Sequence, residues 1–189
     1  MQSMDAITAL LTRRAAPRLT EPAPNPQELE LVYRAALRAP DHAMLRPWRF
    51  LSISGEARNR LGELFVDALK PETAEQKEKL LSAPLRAPMI IIAVARITDN
   101  PKVPAVEQIC STAAAVQNMS LALHALGYAS IWRTGPAAFH DGVKKGLGLE
   151  TTDEIVGLLY IGTATVHERP VPDIHTTDFF ENWNSAENL

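Results

Sequence analysis

Residues 89–95, Met-Ile-Ile-Ile-Ala-Val-Ala, constrain the fold more than any other stretch of the chain. Seven consecutive apolar residues have the length of a strand and no polar alternate positions, the pattern of a central strand covered on both faces. Ile109 to Leu126 reads as a long helix that is apolar on nearly every side, with Ala113, Ala114, Ala115, Val116, Met119, Leu121 and Leu123. A helix with no polar face belongs in a core or at a subunit interface.

The other elements read more locally. Ile7, Leu10 and Leu11 recur at helical spacing, so Arg13 and Arg14 fall at the C-terminal end of a first helix that Pro17 stops. Asn25-Pro26-Gln-Glu28 is an N-cap with proline at the first helical position. Leu29, Val32, Tyr33, Ala36 and Leu37 carry that second helix to Arg38, before Pro40. Strands are expected over 50–54, 129–133 and 155–161, and helices over 56–69, 71–81 and 136–147. This order lacks the regular alternation of a doubly wound fold and predicts an α+β domain, helices around a central mixed sheet.

The chain has 189 residues, enough for one domain with a sizeable core, expected over 1–189 with residues 163–189 as a C-terminal arm. That arm carries Phe179, Phe180 and Trp183 among prolines and polar residues, and packing onto a partner subunit would bury them. A net charge of -3 and 22% charged residues give no basic excess for nucleic acid, and no run of about 18 apolar residues is present to span a membrane. The N-terminal stretch is amphipathic and bears arginines, but Asp5 interrupts it and it reads as the first helix of the folded domain. The single cysteine, Cys110, cannot form an internal disulfide and is expected as a small core residue. Its solitude fits a reducing compartment, hence the cytoplasm.

Three segments carry candidate chemistry. Arg13-Arg14 presents two planar cations that suit a phosphate; capping a helix dipole in water is the bland alternative. Asp41-His42 lies in a Pro-bounded loop after Arg38, and reads as an acid/base pair, a hydrogen-bond donor or a loop histidine bonded to backbone. His124, His140, His167 and His175 show no ligand spacing with it, so no metal is expected. Gly127-Tyr-Ala-Ser-Ile-Trp132-Arg133-Thr134-Gly135 is a short strand between two glycine stops. The stretch from Lys102 to Gln108 opens the long helix, where amide groups could face an anion and Glu107 and Gln108 could line a pocket. Arg169 is a further cation, for a phosphate or for solvent.

In their order and spacing, Arg13-Arg14, the stretch from Arg38 to Phe50 with Arg46-Pro47-Trp48, and Trp132-Arg133-Thr134 resemble the FMN-dependent nitroreductase family. The resemblance is closest to its small YdjA-like subgroup and runs from about Met4 to Gly162. It implies the nitroreductase-like fold and a homodimer with FMN at the subunit interface. FMN contacts are implied at Arg13, Arg14, Ala15, Arg38, His42, Trp132, Arg133, Thr134 and Arg169. Arg38 and His42 would be contributed across the dimer. A nicotinamide contact is implied along Ala122, Leu123, His124, Ala125, Leu126 and Gly127. Two positions depart from the pattern: Ala15 stands where relatives carry serine, and Arg46 where they carry glutamine.

There is no Gly-x-Gly-x-x-Gly, no Gly-Lys-Ser/Thr loop and no Gly-x-Ser-x-Gly elbow. With no evident nucleophile or general acid, a cofactor must supply the reactivity. The resemblance therefore implies an NAD(P)H-dependent flavin reductase acting on a nitroaromatic, quinone or similar oxidant, in ping-pong turnover. A reductase of a small aldehyde or enoate on the same fold, a flavin carrier or sensor without turnover, and a bare scaffold are the alternatives.

Overall fold

The structure is a computed structural model that describes residues 4–165 and 170–183. The helices are α1 (Ala6–Thr12), α2 (Pro26–Ala36), α3 (Ala57–Leu69), α4 (Ala74–Ser82), α5 (Ala105–Ala125) and α6 (Asp141–Gly146). The strands are β1 (Leu19–Thr20), β2 (Trp48–Ser54), β3 (Met89–Ala95), β4 (Ala129–Arg133) and β5 (Glu154–Ala164).

As its unbroken apolar run requires, β3 is buried at all seven positions, between β2 and β5. Its side chains alternate between two cores. Ile90, Ile92 and Val94 pack with Leu61 and Phe65 of α3. Met89, Ile91 and Ala93 pack with Val32 and Ala36 of α2 and with Ala115, Val116, Met119 and Leu123 of α5. Full burial of each isoleucine contributes about 1.5–3 kcal/mol. The sheet is antiparallel in every named pair, a correction to the mixed sheet expected; among the described residues the one parallel pairing is the isolated bridge Ala15–Ser130.

Several boundaries move for identifiable reasons. In α2 the Asn25 side chain accepts from the Gln27 and Glu28 amides, and Glu28 Oε2 accepts in return from the Asn25 amide. That capping box fixes the start, while Leu37 closes the end before Arg38. Helix α5 begins at Ala105, one turn before the apolar run, because Pro104 serves as its N-cap. Its buried residues form a stripe through Gln108, Thr112, Ala115, Val116, Met119 and Leu123, and Cys110 lies off that stripe, exposed, against the expectation of a core cysteine. The helix expected over 136–147 divides into a 3-10 turn, Pro136–Phe139, and α6, with His140 as the N-cap between them.

Residues 170–183 contain only a 3-10 turn, Thr176–Asp178, and lie exposed on the chain. Phe179, Phe180 and Trp183 are between 72% and 79% exposed, so this chain alone does not bury them. None of the described helices is long and apolar enough to cross a membrane.

Candidate active site

Helix α1 ends at Arg13, whose backbone N–H donates to Ala9 O at 3.1 Å. The chain then runs beside β4: the Ala16 N–H donates to Ser130 O at 3.1 Å, next to the Ala15–Ser130 bridge. This contact is non-local, joining residues more than 110 positions apart, and it sets the place of the Arg13-Arg14 pair. A cavity of about 1040 Å³ opens there, lined by Arg13, Arg14 and Arg18 on one side and by Ser120, His124 and Gly127 through Ile131 on the other. Among the described residues no aspartate or glutamate lines it. Three guanidinium groups on one wall suit a phosphate.

The outer edge of β4 continues past this hollow. Its inner edge pairs with β5 from Ala129 to Arg133. Ser130 turns its carbonyl outward to Ala16, and by the two-residue period of a strand Trp132 faces the same way. Past Ser130 the described residues add no strand to this edge, which leaves backbone groups for a flat polar ligand. Trp132 is anchored, its Nε1–H donating to Val156 O at 3.2 Å, and its indole lies against Gly157. The Arg133 guanidinium stands 5.9 Å from the centre of the Tyr160 ring, and its buried Nε has no hydrogen-bond partner. A buried donor left unmatched costs about 1–3 kcal/mol. Thr134 and Gly135 end the strand, Gly135 at a φ of 94°.

His124 is held from α1. Thr12 Oγ1 donates to Thr8 O at 2.6 Å and so has no second proton, which makes His124 Nε2–H the donor in its 2.8 Å contact with Thr12. Tyr128 donates to Glu28 Oε2 at 2.7 Å, and that hydrogen bond, with burial second, raises the phenol above its ordinary value. Within the implied nicotinamide stretch, His124 and Gly127 reach the cavity wall, whereas Leu123 is fully buried in the core beneath.

The loop after α2 occupies a different place. His42 Nδ1 lies 2.8 Å from Glu107 Oε2, in the first turn of α5, and both side chains are about half exposed. Asp41 Oδ2 accepts from the Arg46 amide at 2.7 Å. Between them Ala43, Met44 and Arg46 take left-handed φ angles of 59°, 51° and 49°. Glu107 and His124 are seventeen residues apart on one helix, roughly 25 Å at 1.5 Å per residue. His42 therefore stands far from the arginine hollow of its own chain, and Arg38, exposed beyond the end of α2, is not on the hollow's wall either.

Gln108 does not line a pocket as expected. It is buried, donating from Nε2 to Thr98 O and Val103 O while its Oε1 accepts from the Thr98 amide, so it braces the loop before α5. Arg169 lies outside the described residues. Arg18, passed over in the sequence, lines the cavity; its spacing from Arg13-Arg14 was visible, but Pro17 between them hid the shared wall. Among the described residues no three His, Cys, Asp or Glu side chains stand together as a metal site.

Residues 11–163 match the model of the Nitroreductase family. Over 162 residues the chain is 41% identical to an Escherichia coli K12 protein named "Putative NAD(P)H nitroreductase YdjA", covering 85% of this chain and 88% of that one. A crystal structure of a nitroreductase-like family protein from Bacillus cereus, 23% identical, superposes with a TM-score of 0.84 and covers 98% of this chain and 100% of the other. A Sphigopyxis protein described as an FMN and NADPH-dependent nitroreductase, NfnB, is 18% identical with a TM-score of 0.76, covering 96% and 100%. The arginine hollow beside an uncovered strand edge thus belongs to an oxidoreductase fold, and this chain is a member of the nitroreductase family.

Proposed function

We propose that the protein is an NAD(P)H-dependent flavin reductase that binds FMN in the arginine-lined hollow and against the outer edge of β4. The observation that carries this reading is the hollow of about 1040 Å³ with Arg13, Arg14 and Arg18 on its wall, next to the backbone edge at Trp132. The donor set fits the group. The guanidinium forks suit a phosphate, each charge-assisted bond contributing about 1.5–3 kcal/mol, and the strand edge suits the polar rim of a flat ring. Ala15 offers no hydroxyl here, so Arg13, Arg14 and, by resemblance, Arg169 carry the anion. When bound, FMN would supply the hydride-transfer chemistry, through N5, between NAD(P)H and a nitroaromatic, quinone or similar oxidant.

The chain's own part is positioning and electrostatics. Arg133 and Thr134 at the end of β4 hold the ring edge, and nearby cations stabilise negative charge there. The wall from Ala122 to Gly127, through His124 and Gly127, is the proposed nicotinamide side. The reducible group of one oxidant follows the nicotinamide to the same face of the flavin, so turnover is ping-pong. The active unit is a homodimer: His42, paired with Glu107, stands about 25 Å along α5 from its own hollow, Arg38 is not on that hollow's wall either, and both serve the hollow of a second copy. The exposed Phe179, Phe180 and Trp183 suit burial on that partner. A cytoplasmic setting accords with the single cysteine.

Anaerobic titration of the FMN-loaded protein with NADH and NADPH tests the reading. Stoichiometric bleaching of the flavin band is expected. A protein that fails to retain FMN on gel filtration would overturn it, and one that retains FMN without bleaching is a carrier.

A further inference from the structure

A second, smaller hollow of about 460 Å³ shares Pro17 and Arg18 with the large one and is lined besides by Leu19, Leu85, Arg86 and Arg133. Half of its wall is guanidinium and half is apolar. None of the three arginines makes an ion pair with a described carboxylate. By contrast, Arg34 pairs with Glu30, and Arg58 donates to Ala87 O at 2.7 Å and to Gly55 O. Arg133 is held by its contact with Tyr160, and its buried Nε is still unmatched. Burial raises the Tyr160 phenol while Arg86 and Arg133 pull it down, so both cations face one buried point. Arg86 ends the 3-10 turn Ala83–Arg86, directly before the carbonyl that Arg58 grips, which fixes its backbone.

Three planar forks on one wall, with no described carboxylate paired to them, match a carboxylate, and the flanking Pro17, Leu19 and Leu85 match an apolar body. The volume admits a small molecule and not a dinucleotide. We propose that Arg18, Arg86 and Arg133 form a receptor for the carboxylate of a small aromatic acid, which makes acids of that kind that also carry a nitro group or quinone the favoured oxidants. The choice of oxidant rests on the reductase reading above; the receptor itself does not. Arg133 adjoins Thr134, so an acid held there lies at the end of the strand that the proposed flavin uses.

The test compares the FMN-loaded protein with its Arg86→Gln and Arg86→Lys variants. The rate with 4-nitrobenzoate is measured against that with uncharged 4-nitrobenzamide, and benzoate binding is measured by calorimetry without turnover. Arg86→Gln is expected to raise KM for 4-nitrobenzoate about tenfold or more, with 4-nitrobenzamide kinetics, FMN content and Tm unchanged, and Arg86→Lys to recover part of the loss. Equal effects on the two nitro compounds, or no effect on either, overturn the proposal, as does a wild-type protein that binds no benzoate. Benzoate binding that depends on Arg86 in a protein whose flavin NAD(P)H cannot reduce would sink the reductase reading and leave the receptor standing.

Discussion

Strand β4 and the loop over residues 38–46 both hold candidate site residues, and they hold them by different means. In β4, register with β5 fixes every residue from Ala129 to Arg133, the Ala15–Ser130 bridge closes part of the outer edge, and Trp132 is seated on Gly157. The loop has one ion pair, His42–Glu107, one side-chain latch from Asp41, and three left-handed residues that are not glycine. Each left-handed residue costs roughly 1–2 kcal/mol. A strand edge is complete within one chain, whereas a strained, exposed loop stores energy that outside contacts can repay. The difference teaches that β4 is preorganised by its own sheet, whereas the loop holds strain that its own chain leaves in place.

The largest expected effect falls on the strand. A Cβ at Gly157 would sit 2.0 Å from Trp132 Nε1 and 3.0 Å from Arg133 O. Gly157→Ala should therefore lower stability by about 1–3 kcal/mol, with altered tryptophan fluorescence as Trp132 moves. Thermal unfolding checks this, and an unchanged Tm would mean that the indole is not seated there. In the loop, Ala43→Gly removes left-handed strain while loosening the unfolded chain, so stability should change by less than about 0.5 kcal/mol. Ala115→Gly, in the buried middle of α5, should lose about 1 kcal/mol or more by comparison. Equal losses in urea unfolding would erase the contrast between loop and framework.

Of the same small order is Glu107→Gln. The ion pair with His42 is half exposed, so its removal should cost at most about 1 kcal/mol, and less at high salt. The smallest effect is seen with pH. The Tyr128 phenol is raised above 10.0 by its hydrogen bond to Glu28. A raised value means the stabilisation is full below the unfolded value and fades as pH rises through the folded one. Tyr128→Phe should flatten the fall in stability above about pH 10, and an unaltered alkaline profile would show that this bond does not anchor β4 to α2.

Legibility along the chain followed the range of the interactions. Strand β3 was visible at both ends because burial on both faces leaves no polar position. The start of α2 was visible because its capping box spans four residues. Gly127 and Gly135 were visible as stops, and both take a left-handed φ, 87° and 94°. Gln108 was misread because an amide at a helix start looks the same whether it faces a ligand or braces a loop. Cys110 was misread because an apolar helix hides which of its sides is covered. The split before α6 turns on the His140 side chain accepting from the Gly142 amide, a small contact with no periodic signal.

By itself the sequence determined the elements, the family and the residue types available for a phosphate and a flat ring, since propensity, capping and apolar periodicity act over a few neighbours. Only the tertiary structure decided which cations share a wall. Arg13, Arg14 and Arg18 face one hollow, and Arg18, Arg86 and Arg133 another, because the segment at Ala15 pairs with Ser130 while β1 pairs with the end of β5. Those pairings join residues more than a hundred positions apart, and no local pattern encodes them.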